Sequence, residues 1–300
     1  MTFNVVGFGA LNLDKLYRVN MIAREEEEGF VTGFNESAGG SAANTVVGLA
    51  RLELKTGFIG KIAADHEGNF LLEDLRNESV DTNGITVAEN GRSGVVMGFI
   101  DQKGDRALYV DPGVNNRIEF QEINLDYAVN TEFLHLSSFV GEKPFKAQKQ
   151  LIGQLSNVKI SFDPGALYAR KGLKSLIPII RRCYVMFPNA IETKLLTGEA
   201  YEEGARIFTK EGVNIVAVKL GKKGCYVTDG KKSHLVEPYK VDVVDTTGAG
   251  DAFCAGFLYG LIKRKDLIDC ARLGNFVASR CIAKIGARTG LPKLKDLKDL

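Results

Sequence analysis

The sequence has few of the residues that build zinc sites and disulfide frameworks. Its 300 residues include three histidines and five cysteines, an odd number. No two cysteines show the Cys-x-x-Cys spacing and the histidines are scattered, so no zinc or redox motif is present. The cysteines lie in apolar or helical stretches, which is typical of reduced thiols buried in a cytoplasmic protein.

The sequence also lacks signals for a membrane or for nucleic acid. No apolar run approaches the roughly 18 residues of a membrane span, and the first residues show no signal-peptide pattern. The formal net charge is only +2, without a concentrated run of lysine and arginine. We therefore expect a cytoplasmic protein that has neither a membrane nor a nucleic acid as a partner.

Two common nucleotide-binding motifs are missing as well. The P-loop pattern Gly-x-x-x-x-Gly-Lys-Ser/Thr does not occur. Residues 7–12 (GFGALN) follow a strand-like run, but Asn12 stands where the dinucleotide-binding pattern has its third glycine. No acidic residue follows at the expected spacing, so a dinucleotide-dependent oxidoreductase is disfavoured.

What the sequence does contain is an alternation of short β-rich runs and helical patterns. The strand-like residues 4–9 precede the helical residues 41–54, and similar pairs recur along the chain. This alternation predicts an α/β fold with a doubly wound, mostly parallel sheet flanked by helices. The length suits a single domain over residues 1–300.

Two stretches break that alternation. Residues 14–36 and 93–110 look like strands without intervening helices, and Asp101 to Gly104 form a good hairpin turn. We expect these insertions to pair into a small β lid over one end of the main sheet. A lid of this kind excludes water from a reaction.

The strongest chemical signal is the segment VDTTGAGDAF, residues 244–253. It follows a β-branched run and opens a helical one. Gly248, Ala249 and Gly250 place small residues where the free N–H groups of a helix N-terminus point outward. Such a terminus can bind phosphate, so these residues predict an anion hole.

Asp251 follows directly and needs a chemical reason. A carboxylate beside a phosphate site repels the ligand unless it has a role there, such as accepting a proton from an attacking hydroxyl. A short Gly-x-Gly-Asp motif is equally well an ordinary helix start with Asp in the first turn. The whole segment is more specific and predicts phosphoryl transfer with Asp251 as the catalytic base.

This segment closely resembles the C-terminal signature of the PfkB, or ribokinase-like, family of carbohydrate and nucleoside kinases. The resemblance runs from the first strand to about Gly290. Residues 9–14 (GALNLD), 38–44 (AGGSAAN) and 112–115 (PGVN) resemble further motifs of the family, in the same order. The resemblance implies that the substrate is bound by Asn12, Asp14, Gly39, Gly40 and Asn44. From the residues alone, the polar members of this set could equally be caps or turn residues.

The resemblance also implies ATP and Mg²⁺. Residues 189–192 (NAIE) match an Asn-x-x-Glu motif in which Glu192 would help to hold Mg²⁺ through water, although the pattern is also a capping box. Residues 219–224 (KLGKKG) match a turn that lies along the nucleotide. The implied nucleotide-binding residues are Asn189, Lys219, Gly221, Gly224 and Asn275.

One departure from the family concerns a monovalent cation. Many members bind one at positions that match Asp245, Thr247 and Gly286. A hydroxyl ligand of the ribokinase pattern is replaced here by Gly290, with Thr289 beside it. K⁺ activation is therefore an open prediction. Family members often form homodimers through the lid, and the lid-like strands permit the same here.

The sequence thus predicts an ATP-dependent kinase that transfers the γ-phosphoryl group to a hydroxyl of a small sugar or nucleoside. A non-catalytic sugar or nucleoside sensor on the same scaffold is the alternative, but it should have lost Asp251 or the glycines of the anion hole. The sequence does not choose among a nucleoside, ribose or fructose, and a sugar acid. A phosphorylated sugar is less expected, because no basic cluster lies near the lid.

Overall fold

A nine-stranded sheet runs through the centre of the protein in the computed structural model, which describes residues 2–297. Its strands, from one edge to the other, are β13 (Ser233–Val236), β12 (Cys225–Thr228), β11 (Ile215–Lys219), β10 (Cys183–Met186), β9 (Lys159–Phe162), β8 (Thr131–Leu136), β1 (Phe3–Phe8), β4 (Thr56–Ala63) and β5 (Val80–Ala88). The strands from β11 to β5 pair in parallel, and β12 and β13 are antiparallel.

Helices cover both faces of this sheet. They are α1 (Ser41–Arg51), α2 (His66–Asn77), α3 (Leu125–Val129), α4 (Glu142–Gln154), α5 (Gly165–Ala169), α6 (Leu173–Ile180), α7 (Ala190–Thr197), α8 (Tyr201–Lys210), α9 (Ala249–Ile262) and α10 (Leu267–Ile282). Successive side chains of a strand point to opposite faces, so Val5 packs in the core under α1, α9 and α10 while Val6 and Phe8 pack under α4 and α8. The predicted α/β fold, a mostly parallel sheet flanked by helices, is confirmed.

A second, four-stranded sheet is built from the two segments that lack helices. Its order is β3 (Val31–Gly39), β2 (Asn12–Val19), β6 (Gly94–Ile100) and β7 (Arg106–Asp111). The ring of Tyr17 stacks on Phe99 with a centroid distance of 5.3 Å and packs at a tilt against Phe34 at 4.9 Å. The small second sheet expected from the sequence is therefore present, and it is called the small sheet below.

The parallel strands bring several polar segments to one edge of the main sheet. Ser137 follows β8, Asp163 follows β9, Asn189 comes shortly after β10, and Lys219 is the last residue of β11. Ligands of open α/β sheets bind at the carboxyl ends of the strands. This edge therefore positions the candidate site. No helix within residues 2–297 is long and apolar enough to cross a membrane.

Candidate active site

The N-terminus of α9 lies open at this edge. Its N-cap residue Gly248 has φ 76°, and an added Cβ would lie 2.6 Å from Cβ of Ala287, so conformation and space both require glycine. No side chain caps this helix, and N of Ala249 donates to O of Thr246 at 3.3 Å, so the N–H groups of Gly250 and Asp251 are the ones left for a ligand. The ammonium of Lys219 lies close by, 3.2 Å from where a Cβ of Gly250 would be. Together these groups could bind an anion, so the place is called the anion site below, and the anion hole of Gly248, Ala249 and Gly250 stays a prediction.

Two cavities meet at this anion site. The first, about 500 Å³, is called the apolar cavity and is lined by Lys219, Gly221, Lys222, Gly224, Pro238, Tyr239, Lys240, Val241, Val243, Thr246, Ala249, Gly250, Phe253, Asn275, Ala278, Ser279 and Ile282. The second, about 360 Å³, is called the acidic cavity and is lined by Ser41, Ser137, Ser138, Asp163, Gly165, Asn189, Glu192, Lys219, Gly221, Ala249, Gly250 and Asp251. Because Lys219, Ala249 and Gly250 line both, a phosphate chain that starts in the apolar cavity can end in the acidic one.

A buried ion pair lies at the floor of the junction. Nζ of Lys219 donates a hydrogen bond to Oδ2 of Asp163, and both side chains are nearly buried. Burial alone would lower the pKa of Lys219, but the neighbouring anionic groups, Asp163 first, raise it above its usual value. Lys219 therefore stays a cation beneath the anion site.

Asp251 is placed to act as a base in the acidic cavity. Its Oδ2 accepts a hydrogen bond of 2.8 Å from Nδ2 of Asn44. Burial raises the pKa of Asp251 to about 7, and Asp163 adds to the rise, while Asn44, Lys219 and Arg288 oppose it. A carboxylate with a pKa near neutrality is well matched to accepting a proton from a hydroxyl at physiological pH.

Asn189 and Glu192 form a capping box at the start of α7. Oδ1 of Asn189 accepts from N of Glu192 at 2.8 Å, and Oε2 of Glu192 accepts from N of Asn189 at 2.9 Å. Burial first, and then Asp163, raises the pKa of Glu192. Within residues 2–297 no cluster of three acidic, histidine or cysteine side chains could cage a metal alone. Asp163 and Glu192 beside the anion site instead suit Mg²⁺ that is held mainly by phosphates and water.

The glycine pair lets β3 turn tightly into α1. A Cβ on Gly39 would lie 2.4 Å from Oδ2 of Asp14, and Gly40 has φ 112° with 2.2 Å between its added Cβ and O of Ala10. Burial raises the pKa of Asp14 to about 6, with Arg288 opposing the rise. Nδ2 of Asn115 donates to Oδ1 of Asn12 at 3.1 Å.

The structure brings the predicted substrate-binding residues to the site to different degrees. Asn44 is bonded directly to Asp251. Asn12, Asp14, Gly39 and Gly40 are neighbours at the junction of the small sheet with α1, but they line neither of the two cavities.

Four of the five predicted nucleotide-binding residues line the apolar cavity, namely Lys219, Gly221, Gly224 and Asn275, whereas Asn189 lines the acidic cavity. Gly224 has φ 81°, and an added Cβ would lie 2.0 Å from O of Val236, so the turn needs glycine. Nδ2 of Asn275 donates to O of Val236 at 3.0 Å and to O of Glu237 at 2.9 Å. Asn275 thereby fixes the chain segment that forms one wall of the cavity.

The three residues predicted to hold a monovalent cation are tied together. Oδ1 of Asp245 accepts from N and Oγ1 of Thr247 at 2.9 and 2.7 Å, and Oδ2 accepts from N of Gly286 at 2.9 Å. Although burial opposes ionisation, these hydrogen bonds lower the pKa of Asp245. A Cβ on Gly290 would lie 2.3 Å from O of Arg280, which leaves no room for a hydroxyl side chain there. Oγ1 of Thr289 lies 3.5 Å from the Cβ position of Gly286 and can supply one instead.

Some site residues were not predicted as such. Ser41, Ser137 and Ser138 line the acidic cavity, and the position of Ser137 directly after a parallel strand could have identified it. Asp163 directly follows β9, so its position could also have identified it, but its pairing with Lys219 could not be read from the sequence. Arg288 is buried behind Asn44, and no local pattern marks it, because its hydrogen-bond partners are 244 and 214 positions away.

The comparisons with known proteins show the family. The profile of the pfkB family carbohydrate kinases matches residues 3–294. An uncharacterized sugar kinase of Archaeoglobus fulgidus is 46% identical over 83% of this chain and 100% of the relative. An ATP-dependent ribose-1-phosphate kinase of Halopiger xanaduensis is 32% identical over 95% of this chain and 94% of the relative.

A solved structure shows the same fold. The ribokinase of Arabidopsis thaliana, complexed with ribose and ATP, superposes with a TM-score of 0.88 at 24% identity, over 98% of this chain and 97% of that one. With the profile match over nearly the whole chain and two sugar-kinase relatives above 30% identity, the conclusion is direct. The chain belongs to the pfkB family of carbohydrate kinases.

Proposed function

We propose that the protein is an ATP-dependent kinase that transfers the γ-phosphoryl group to a hydroxyl of a small sugar or nucleoside. The observation that carries the proposal is the uncapped, glycine-rich N-terminus of α9, at which the apolar and acidic cavities meet. Asp251 in the first turn of the same helix supplies the base. Phosphoryl transfer depends chiefly on positioning and charge stabilisation, and this arrangement provides both.

In this proposal the nucleotide spans the two cavities. The adenine ring of ATP lies in the apolar cavity beside Asn275, and the phosphates extend along Gly221 and Gly224 toward Gly248–Gly250. The free N–H groups of α9 and the ammonium of Lys219 stabilise the charge on the phosphoryl group. These groups would stabilise a neutral ligand only weakly, and the phosphates of the proposed donor ATP are therefore placed here.

The acceptor hydroxyl lies in the acidic cavity against Asp251. As the oxygen of the hydroxyl forms its bond to the γ-phosphorus, its proton passes to the carboxylate of Asp251 and ADP leaves. Asn12, Asp14 and Asn44, with the glycine pair Gly39 and Gly40, are the proposed ligands of the other hydroxyls, although none of the five lines either cavity in this structure. Short carboxylate and amide side chains are suited to vicinal hydroxyls.

Magnesium is part of the proposal. Glu192, with Asn189 and Asp163, would hold the ion through water next to the phosphates. When bound, Mg²⁺ neutralises charge on the phosphate oxygens. The chain's own contribution is the capping box, which fixes the carboxylate of Glu192 toward the acidic cavity.

A monovalent cation is proposed for the loop that joins Asp245, Thr247 and Gly286. The carboxylate of Asp245 fixes both segments of that loop, and Thr289 supplies the nearest hydroxyl. K⁺ is the ion of the ribokinase pattern. Faster turnover in KCl than in choline chloride of equal ionic strength supports the site, and equal rates contradict it.

A homodimer through the small sheet is also proposed. Apolar side chains are exposed on both edge strands, among them Val31 and Phe34 on β3 and Leu108, Tyr109 and Val110 on β7. Exposed apolar surface of this extent is typical of an interface. Light scattering after gel filtration measures the state: twice the 32.7 kDa chain mass supports the dimer.

We place the kinase in the cytoplasm. All five cysteines are buried and unpaired, which suits a reducing compartment. ATP, the proposed donor, is supplied in the same compartment. Detection of the protein in the cytosolic fraction of its host cells would support this placement.

The test is a coupled ADP-release assay with Mg-ATP against nucleosides, pentoses, hexoses, sugar acids and ribose 1-phosphate. The last is included because the relative from Halopiger xanaduensis is a ribose-1-phosphate kinase. Asp251→Asn serves as the blank. Turnover on one acceptor class, lost in the blank, establishes the kinase and names the acceptor. No turnover on any acceptor, with ATP binding intact, favours the non-catalytic sensor instead.

A further inference from the structure

Arg288 lies behind Asp251 and is joined to it through one side chain. Nε of Arg288 donates to Oδ1 of Asn44 at 2.7 Å, and Nδ2 of Asn44 donates to Oδ2 of Asp251 at 2.8 Å. Nη1 of Arg288 donates to Oδ2 of Asp74 on α2. Arg288 is 8% exposed and Asn44 is 5% exposed, so the connection is shielded from water.

The direction of these hydrogen bonds fixes the orientation of the Asn44 amide. An amide can present either its oxygen or its nitrogen to a neighbour, but a guanidinium can only donate. Arg288 therefore holds Oδ1 of Asn44 on its own side and turns Nδ2 toward Asp251. If the amide flipped, its oxygen would face the carboxylate and repel it. The oriented amide donates to Oδ2 of Asp251, so Oδ1 is the carboxylate oxygen left to face an acceptor.

The guanidinium is also placed among several acidic groups. Asp74 approaches from α2, Glu78 from the residue directly after α2, Asp14 from β2, and Asp251 from α9 through Asn44. Nη2 of Arg288 is buried without a hydrogen-bond partner within residues 2–297. Its positive charge favours the ionised forms of both Asp14 and Asp251. Lys219 and Asp163 face Asp251 from the other side.

A second arginine, Arg51, supports the segment around Arg288 without contacting Asn44, and it can therefore serve as a control. Nη1 of Arg51 donates to O of Arg288 at 2.6 Å and to O of Leu291 at 3.3 Å, and Arg51 also pairs with Glu78. Arg51 thus holds the backbone of the segment that carries Arg288. It is not part of the chain of hydrogen bonds to Asp251.

We propose that Arg288 is a positioning residue of the transfer reaction, which orients the base Asp251 through the amide of Asn44 and places a positive charge behind it. This rests on the proposed kinase function and adds to it a residue that does not touch the acceptor or the nucleotide. Arg288 sets the free oxygen of Asp251 toward the acceptor hydroxyl. A misplaced base loses rate even when the substrates still bind.

The experiment compares Arg288→Gln with the matched control Arg51→Gln. We expect Arg288→Gln to lower kcat about 10- to 100-fold with little change in KM for ATP. The acid limb of its pH–rate profile should move to higher pH, because Asp251 loses a nearby positive charge. Arg51→Gln should lower Tm but leave kcat and the pH profile unchanged. Equal losses of kcat in the two variants would overturn the proposal.

A double-mutant cycle tests the route through Asn44. In an Asn44→Ala background, Arg288→Gln should cost little further kcat, since the connection is already cut. Fully additive losses would contradict the proposal. If Arg288→Gln does not fold, Arg288→Gln with Asp74→Asn, which also removes the carboxylate that pairs with Arg288, takes its place in the cycle.

One measurement separates this inference from the proposed function. The pKa of Asp251 is followed by NMR of carbon-13-labelled aspartate carboxyls, assigned by the signal missing in Asp251→Asn. A higher pKa in Arg288→Gln than in the wild type supports the inference even if no acceptor is phosphorylated. An unchanged pKa overturns it even if the wild type is an active kinase. Absence of turnover in the wild type, by contrast, is a failure of the proposed function alone.

Discussion

The two cavities on either side of the α9 N-terminus are built from different parts of the chain. The apolar cavity is lined only by residues between Lys219 and Ile282, a single C-terminal stretch. The acidic cavity draws on separate segments near Ser41, Ser137, Asp163, Asn189 and Gly250. The apolar cavity thus comes from one C-terminal part of the chain, whereas the acidic cavity needs segments that are far apart in the sequence.

The two cavities also differ in how they would recognise a ligand. The apolar cavity relies on glycine turns, backbone groups and apolar side chains. The acidic cavity relies on carboxylates, hydroxyls and one ammonium, whose charges are set by burial and by each other. Changes in the acidic cavity should therefore act on turnover, and changes in the apolar cavity on nucleotide affinity.

The largest effect is expected from Asp251→Asn. The amide cannot accept the proton of the hydroxyl, so kcat should fall by about two to four orders of magnitude. ATP affinity, measured by calorimetry, should stay close to the wild-type value, because the proposed nucleotide site lies mainly in the apolar cavity, which Asp251 does not line. Unchanged turnover would remove Asp251 from the role of base.

Lys219→Met should affect both cavities, since Lys219 lines both. Losing the ammonium should lower kcat by about 10²- to 10³-fold, the usual range for one group that stabilises transition-state charge. It also leaves Asp163 buried without its partner, at a cost of about 3–5 kcal/mol in the free energy of unfolding. Kinetics at saturating Mg-ATP and urea denaturation measure the two effects.

The control for this variant is Lys222→Met. Lys222 lines the apolar cavity but is exposed and does not pair with Asp163. A loss of kcat as large in Lys222→Met as in Lys219→Met would show that general positive charge, and not the buried ammonium, is what matters.

The same contrast explains how much the sequence could predict. Gly248 to Asp251 could be recognised because the small residues, the helix start and the carboxylate are contiguous, and the fold followed from the regular strand–helix alternation. Arg288 could not, because its partners Asn44 and Asp74 come from distant helices and only the folded sheet brings them together. The raised pKa values of Asp14 and Asp251 depend on burial, which no local motif encodes.

The pH dependence sharpens the acidic side of the comparison. Burial raises the pKa of Asp251 to about 7, and the base works only when ionised. The value of kcat/KM should therefore fall about tenfold per pH unit as the pH drops below 7. If kcat/KM instead fell only near pH 4, the ordinary range for the pKa of aspartate, the carboxyl of Asp251 would be solvated in the free enzyme.

The smallest effect is expected on the apolar side, from Asn275→Leu. Leucine fills similar space but cannot donate to O of Val236 and O of Glu237, so the wall of the cavity loses two hydrogen bonds. We expect KM for ATP to rise about tenfold, because the loosened wall should weaken nucleotide binding by about the net free energy of one hydrogen bond. The value of kcat at saturating ATP should stay unchanged, because the lost binding energy is the same in the ground state and in the transition state. A fall in kcat with unchanged KM would mean that the two cavities are not separable, since the wall of one would then be acting on the base in the other.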